Sequence, residues 1–395
     1  MPDLPTLAGT FREAGYQTAY MGKWHLGELD TPDGGGGPGA QGFGTVVHAG
    51  SAGATGSFFP PFPVEKNHAV TNPLSGEPGD DLTGRLTDAA VEFVADAAGK
   101  PEPFLLVLSH YAVHTPLEAR QEEVKAYRRA LRKVGVEAGG KRDDADLVAD
   151  RAGFSKTVQN NPTYAAMVER VDDSLGRVVA ALADAGATEN TVVVFTSDHG
   201  GLSTRGRGNR RALATSNRPL RQGKGSIFEG GTRVPLVVAW PGTLTPAVSQ
   251  RQVHGVDHYP TLLELAGLPA RPEQHVDGRS YAAALRGGGE PREPLFFYKW
   301  QARPGSTGDT RAASLVDGDL KLIEWLDADP VGGPLAGPPA GEGRVELFDL
   351  AADPGELVNL AGERPAVAAA MLKRLRAIEA DVGSLRDRKR ERREE

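Results

Sequence analysis

The sequence predicts an α/β fold: a large, mostly parallel sheet flanked by helices, then a smaller α+β domain of antiparallel strands and one helix. Three observations carry this. Two continuous apolar runs of strand length, residues 104–109 and 191–196, read as strands buried on both faces. Each follows a segment of helical period, and alternating helices and buried strands build parallel sheets. From about residue 292 the texture changes to short strands, with Asp317-Gly318 as a hairpin signal between two of them.

In chain order, the spacing of Leu4, Leu7, Ala8, Phe11 and Ala14 predicts a first helix that stops at Gly15. Residues 16–21 read as a short strand, with Gly22-Lys23-Trp24-His25-Leu26-Gly27 directly behind it. The glycines at 34–37 and the prolines at 60, 61 and 63 make residues 30–63 a loop. A helix over 82–98 places Leu82, Leu86, Ala89, Ala90, Phe93 and Val94 on one side. The strand at 104–109 comes next, and His110 to Pro116 lies just past its end. Residues 117–160 are highly charged and predict surface helix and loop. Asn161-Pro162 opens a helix in which Tyr164, Met167, Val168, Val171, Leu175, Val178 and Leu182 keep the period. The strand at 191–196 leads into Ser197-Asp198-His199-Gly200-Gly201. A basic, glycine-rich loop follows, then a strand at 234–240. Runs at 295–300, 312–316, 320–325 and 345–350 predict the antiparallel strands, and 365–382 the closing helix. The expected division is a large domain over 1–290, a small one over 291–383 and a charged tail over 384–395.

The 395 residues include no cysteine, which excludes a disulfide framework, a thiolate metal site and a cysteine nucleophile. A net charge of −7 argues against general nucleic-acid binding. No stretch of 18 apolar residues is present, so no membrane span is expected. The opening residues have neither the basic nor the apolar region of a signal peptide in this numbering. Neither compartment nor oligomeric state follows from these features.

Ligands of open α/β sheets bind outside the carboxyl ends of the strands. Four polar clusters fall there or in connecting loops: Lys23 with His25, His114, Asp198 with His199, and Lys224. A lone histidine after a strand equally suits a hydrogen-bonded structural role, and an Asp-His-Gly-Gly turn can simply cap a strand. Together they make an electropositive set with one acidic anchor, which suits an oxyanion substrate and a divalent metal. His110, Arg221 and Arg233 are candidates for the substrate side. His48, His68, His254, His258 and His275 are expected to be structural, and Asp257 to cap a helix.

Gly22-Lys23-Trp24-His25-Leu26-Gly27 resembles the second signature of the formylglycine-dependent sulfatases, within the alkaline phosphatase superfamily. Residues 109–116 resemble that family's His-x-Pro segment, and 196–201 its metal-binding turn. Residues 219–235, around Lys224, resemble its active-site lysine loop. Leu347-Phe348-Asp349-Leu350, with Asp353-Pro354-Gly355-Glu356 and Asn359-Leu360 behind it, is also typical. The likeness spans nearly the whole chain in the right order.

The resemblance implies a sulfuric ester hydrolase acting on a small-molecule or carbohydrate sulfate ester. Lys23 and Lys224 would grip the sulfate oxygens and His114 would protonate the leaving alcohol. His25 would act as base when the catalyst is regenerated, and Arg221 would lie on the substrate side. Asp198 and His199 would be metal ligands. The metal implied is Ca2+, with Mg2+, Mn2+ or Zn2+ as alternatives; His199 either ligates it or stands behind it. Asp-His-Gly also looks like the metal-dependent phosphodiesterases and phosphonate ester hydrolases of the same superfamily, which stay open here beside a non-catalytic anion- or sugar-binding remnant. Family members are often exported. The family places an Asp-Asp pair and a Cys-x-Pro-x-Arg formylglycine motif upstream of the Gly-Lys-Trp-His run; the 22 residues before Lys23 contain neither, and no Ser-x-Pro-x-Arg or Ser-x-Ala-x-Arg stands elsewhere. The expectation is a start assigned too late or a fragment rather than decay, because residues 6–16 are family-like almost from the first position.

Overall fold

The computed structural model describes residues 5–27, 36–62, 70–139, 146–151, 153–289, 294–299, 301, 303, 310–326 and 344–382. Thr6 caps the first helix, α1 (Leu7–Glu13), by accepting from Gly9 N. Then follow β1 (Gln17–Lys23), β2 (Thr45–Gly50), β3 (Val70–Thr71), α2 (Leu82–Ala98), β4 (Phe104–Ser109) and α3 (Gln121–Lys133). The charged stretch also holds β5 (Leu147–Asp150) and β6 (Gly153–Lys156), a hairpin where the sequence predicts no strand. Its alternation is hidden by Arg151, Ser155 and Lys156, which are buried through partners rather than through apolarity. The chain continues with α4 (Pro162–Asp184), β7 (Val193–Thr196), β8 (Thr204–Gly206), α5 (Glu229–Thr232) and β9 (Leu236–Ala239). It ends with α6 (His258–Leu265), α7 (Ala282–Leu285), β10 (Leu295–Lys299), β11 (Ala312–Asp317), β12 (Leu320–Trp325), β13 (Arg344–Asp349) and α8 (Pro365–Asp381). His68 and the predicted tail lie outside the described residues.

The chain forms two compact units. The first comprises Met1–Val136, Pro162–Val194 and Val238–Glu290. Its sheet has the order β3-β2-β1-β4, with β1 parallel to both β2 and β4 and only β3 antiparallel. Alternate residues of β1 serve two cores. Ala19 and Met21 pack with Leu82, Leu86 and Ala90 of α2 and Met167 of α4, and Tyr20 packs with Ala8 of α1, Trp24 and Phe43. β1 therefore buries five consecutive residues.

β4 was expected to be buried on both faces, yet all six of its residues are only half-buried. Among the described residues it pairs with β1 alone, at the edge of the sheet. β7 behaves alike: among the described residues it pairs with β9 alone, and its last residue is exposed.

The second unit comprises Glu137–Asn161, Phe195–Val237 and Pro291–Glu395. It holds the antiparallel sheet β10-β11-β12-β13, with α8 packed on one face, and the small sheet β5-β6-β8. Residues 317–320 connect β11 to β12 with Gly318 at φ +58°, as the Asp-Gly signal predicts. Among the described residues no helix is long and apolar enough to cross a membrane.

Gly22 is the tightest point of the first sheet. Its φ is +100°, and a Cβ there would lie 2.0 Å from the Ser109 carbonyl oxygen on the neighbouring strand. Gly22→Ala is expected to destabilise the protein by about 2–3 kcal/mol, the scale of strained backbone at a closed contact. An unchanged midpoint of thermal unfolding would contradict this.

Candidate functional site

In the first unit, parallel pairing sets Gly22 of β1 opposite Ser109 of β4. The segments that follow, Lys23–His25 and His110–His114, therefore leave the sheet at the same edge, the carboxyl ends of the strands. Lys23 is the last residue of β1 and is half-buried. Trp24 is buried and fixes the segment: its ring meets Tyr20 at 5.0 Å and its Nε1 donates to Gly36 O at 2.8 Å. The backbone amides of Trp24 and His25 both donate to Gly50 O. That grip holds His25 at φ +47°, a conformation non-glycine residues seldom adopt. The His25 ring is exposed and lies over Gly53, where a Cβ would come within 2.5 Å of Cε1.

His114 donates from its backbone amide to Tyr111 O, and from Nδ1 to Thr115 O at 2.8 Å. Nε2 is the ring's other nitrogen. His110, a substrate-side candidate, does other work. Its Nε2 stands 2.8 Å from Ser174 Oγ of α4, its Nδ1 is buried, and burial lowers its pKa to about 4. It is a neutral packing residue at neutral pH. His48 is likewise buried, accepts from Leu74 N and is lowered to about 4 by burial. Asp257 caps locally, accepting from the amides of His254 and Arg279.

The second unit joins the other two clusters. The turn after β7 presents Asp198 and His199, and the loop after β8 presents Lys224. The Lys224 amide donates to Gly201 O at 3.0 Å, and the Gly200 amide to Gly231 O at 3.1 Å. Such backbone contact requires glycine: a Cβ on Gly200 would lie 1.7 Å from Gly230 O. Asn217, which the sequence reading missed, ties the pieces together. Its Oδ1 accepts from Gly201 N, and its Nδ2 reaches Gly201 O, Ser203 Oγ and Gln222 O within 3.0 Å. Only its place inside a glycine-rich loop before Arg218-Pro219 could have flagged it.

His199 donates from Nδ1 to Gly200 O, and its Nε2 lies 3.1 Å from Asp198 Oδ2. The Asp198 side chain is 64% exposed, so this pair contributes little to stability and its oxygens stay accessible. Two donors do not fit a calcium centre, which takes about 6–8 oxygens. Among the described residues no three His, Asp or Glu side chains gather as a metal set.

The model of the sulfatase family matches residues 1–268. The chain belongs to that family. A second family model, described as N-sulphoglucosamine sulphohydrolase, C-terminal, matches residues 223–381. A sulfatase of Formosa agariphila is 33% identical over 74% of this chain and 48% of its own length. Human arylsulfatase A is 30% identical over 95% of this chain and 71% of its own length. The chain thus spans about half of the one relative and under three quarters of the other. Among solved structures, Ps i-CgsB in complex with k-i-k-neocarrahexaose superposes with a TM-score of 0.71 at 25% identity, covering 95% of this chain and 74% of that one.

Arg221 of this sulfatase-family chain is buried rather than on the substrate side. Its Nη2 and Nε bond Asp150 Oδ1 at 2.8 and 3.2 Å, its Nη1 donates to Glu356 O at 2.9 Å, and the guanidinium lies 4.0 Å above the Phe228 ring. Three of its five N–H donors are thereby committed inside the unit, because the loop turns it inward. Glu356 continues the set: its Oε2 accepts from Glu229 N at 2.6 Å. Lys321 lies 2.9 Å from both Glu229 and Glu356 with its side chain fully buried. A lysine inside the apolar run of β12 was the sequence signal for this network. Arg233, by contrast, is exposed.

Burial raises the Glu356 pKa to about 7, against the opposing pull of Lys321. The folded protein therefore holds a proton that the unfolded chain releases near 4.5. Glu356's contribution to stability is full below that value and is lost as pH rises to about 7. In Glu356→Gln, urea unfolding is expected to lose that decline between pH 4.5 and 7. A wild-type slope in the variant would contradict it. Lys321→Ala leaves two facing buried carboxylates and is expected to cost about 3–5 kcal/mol.

Proposed function

We propose that the chain is a sulfuric ester hydrolase acting on a sulfate ester of a carbohydrate. One observation carries this reading furthest: the exposed Asp198–His199 turn and the Lys224 loop are locked to one another through the backbone of Gly201. This backbone link supports a lysine and an acidic turn acting together on an oxyanion. Membership of the sulfatase family and the oligosaccharide bound to Ps i-CgsB support the same reading.

In this reading Lys23 and Lys224 neutralise charge on the non-bridging sulfate oxygens as the S–O bond breaks. His114 supplies a proton from Nε2 to the departing alkoxide. Its Nδ1 proton is committed to Thr115 O, so the ring must enter the step as imidazolium. The released alcohol takes that proton, and water supplies the oxygen of the product sulfate. His25 serves as base, held in place by its strained backbone. The family implies a divalent metal; Asp198 and His199 would supply two of its ligands, too few by themselves for calcium.

Lys224→Ala is expected to lower kcat/KM for sulfate esters by on the order of 10²-fold, the scale for one preorganised charge contact. His114→Ala is expected to impair esters of poor leaving groups most, since a good leaving group needs little proton transfer. A wide preference for phosphodiesters over sulfate monoesters would overturn the assignment in favour of phosphodiester hydrolysis.

A further inference from the structure

Of residues 110–114, which follow β4, only Tyr111 is buried. It belongs to the core cluster of the first unit that holds Met21, Phe62, Leu82 and Met167, and its ring stands edge-on to that of His48 at 5.9 Å. The rest of that cluster is apolar, so a hydroxyl carried into it costs free energy unless it is bonded. The hydroxyl lies at the carboxyl end of β2. It donates to His48 O at a long 3.4 Å, and a Cβ on Gly50 would lie only 2.4 Å from it. Burial pushes the phenol up to about 12, against the pull of a Gly50 backbone hydrogen bond, so it stays neutral at neutral pH.

Gly50 is where that hydroxyl meets the other histidine-bearing segment. Its carbonyl accepts from Trp24 N at 3.1 Å and from His25 N at 3.2 Å, and it pairs with Lys23 across the sheet. This grip keeps His25 at φ +47°, and Gly53, a little further on, lies against the His25 ring. On its backbone side Tyr111 O accepts from His114 N at 2.9 Å. One buried residue thus touches the glycine that holds His25 and itself holds His114. A residue that only filled the core would need no oxygen at this end, since phenylalanine has the same ring.

We propose that Tyr111 is a positioning residue that holds His25 and His114 in a fixed relation to one another. It acts on His25 through Gly50 and on His114 through its own carbonyl. This rests on the sulfatase reading above, in which His114 gives a proton and His25 takes one, and adds to it a residue that touches neither reacting group.

Tyr111→Phe in the full chain tests this, because it removes one oxygen and keeps the ring. Misplacing a catalytic group by about 1 Å costs on the order of 10²-fold, so the smaller shift from one lost hydroxyl is expected to cost about tenfold. With aryl sulfates, kcat/KM reports the steps through departure of the alcohol, hence the His114 arm. It should fall about tenfold for a poor leaving group and less than about threefold for a good one. Equal losses for both esters, or no loss for either, would overturn the role. Labelling the histidines with 13C at Cε1 gives a spectroscopic readout that needs no turnover. The His25 and His114 resonances should both move in Tyr111→Phe, while that of His275, which sits against Tyr259, stays. Movement of only one of the two, or of neither, would count against the proposal. Gly50→Ala is the complementary variant, since its methyl group would strike the Tyr111 oxygen. It should move the same two resonances, and at least about twofold less when Tyr111→Phe is also present; equal shifts in both backgrounds would refute the contact. Should Tyr111→Phe fail to fold by circular dichroism, Gly50→Ala alone must move both resonances. Failure of the sulfatase reading registers separately: the wild-type chain would then turn over phosphodiesters rather than aryl sulfates, while the histidine spectra still report on Tyr111.

Discussion

Lys321, with its side chain wholly out of solvent, sits 2.9 Å from two carboxylates, and the second unit is organised around satisfying it. Moving an ammonium group out of water costs several kcal/mol unless partners surround it. Glu229 comes from α5, Glu356 from the turn after β13, and Glu356 in turn holds the Glu229 amide and, through its carbonyl, Arg221. Arg221 reaches on to Asp150 at the end of β5. One lysine thereby fixes four separate pieces of chain. Beside this set, Arg151 lies 3.5 Å over Trp325, whose Nε1 donates to Glu346, itself paired with Arg344. Removing any member leaves a charge that cannot relax into water.

The consequence for the site is positional. The segment from Arg221 to Glu229 is pinned at both ends, and Lys224 lies between the pins. Its amide is then aligned with Gly201, and the Asp198–His199 turn is carried with it. Charge-driven burial thus produces a rigid support for exposed chemistry, which is what preorganisation of an oxyanion site demands. Glycine supplies the rest, since Gly200 lies where any side chain would strike the backbone of Gly230.

Buried titratable groups act in opposite directions on the acid side. His48 and His110, both lowered to about 4, must gain protons on unfolding between there and 6.5, so they weaken the fold as pH falls. Glu356, raised to about 7, must lose one on unfolding, so it weakens the fold as pH rises. The opposed signs flatten the pH dependence of stability across the mildly acidic range.

The sequence alone determined the elements with a strong period or a contiguous motif. The helices at 82–98 and 162–184, the strand at 104–109 and the four antiparallel strands lie where periodicity puts them, because side-chain burial on one face sets that pattern locally. The family was legible for a similar reason: its motifs are runs of adjacent residues, such as Gly22 to Gly27. Tertiary structure decided what depends on partners far apart in sequence. The β5–β6 hairpin was hidden because its polar residues are buried by pairing, and Arg221 reads as a surface cation until Asp150 and Glu356 are brought to it. The edge position of β4 likewise follows from which strands pair with it, not from its own composition. Short-range order is written in spacing; burial of charge is settled only when the partners meet.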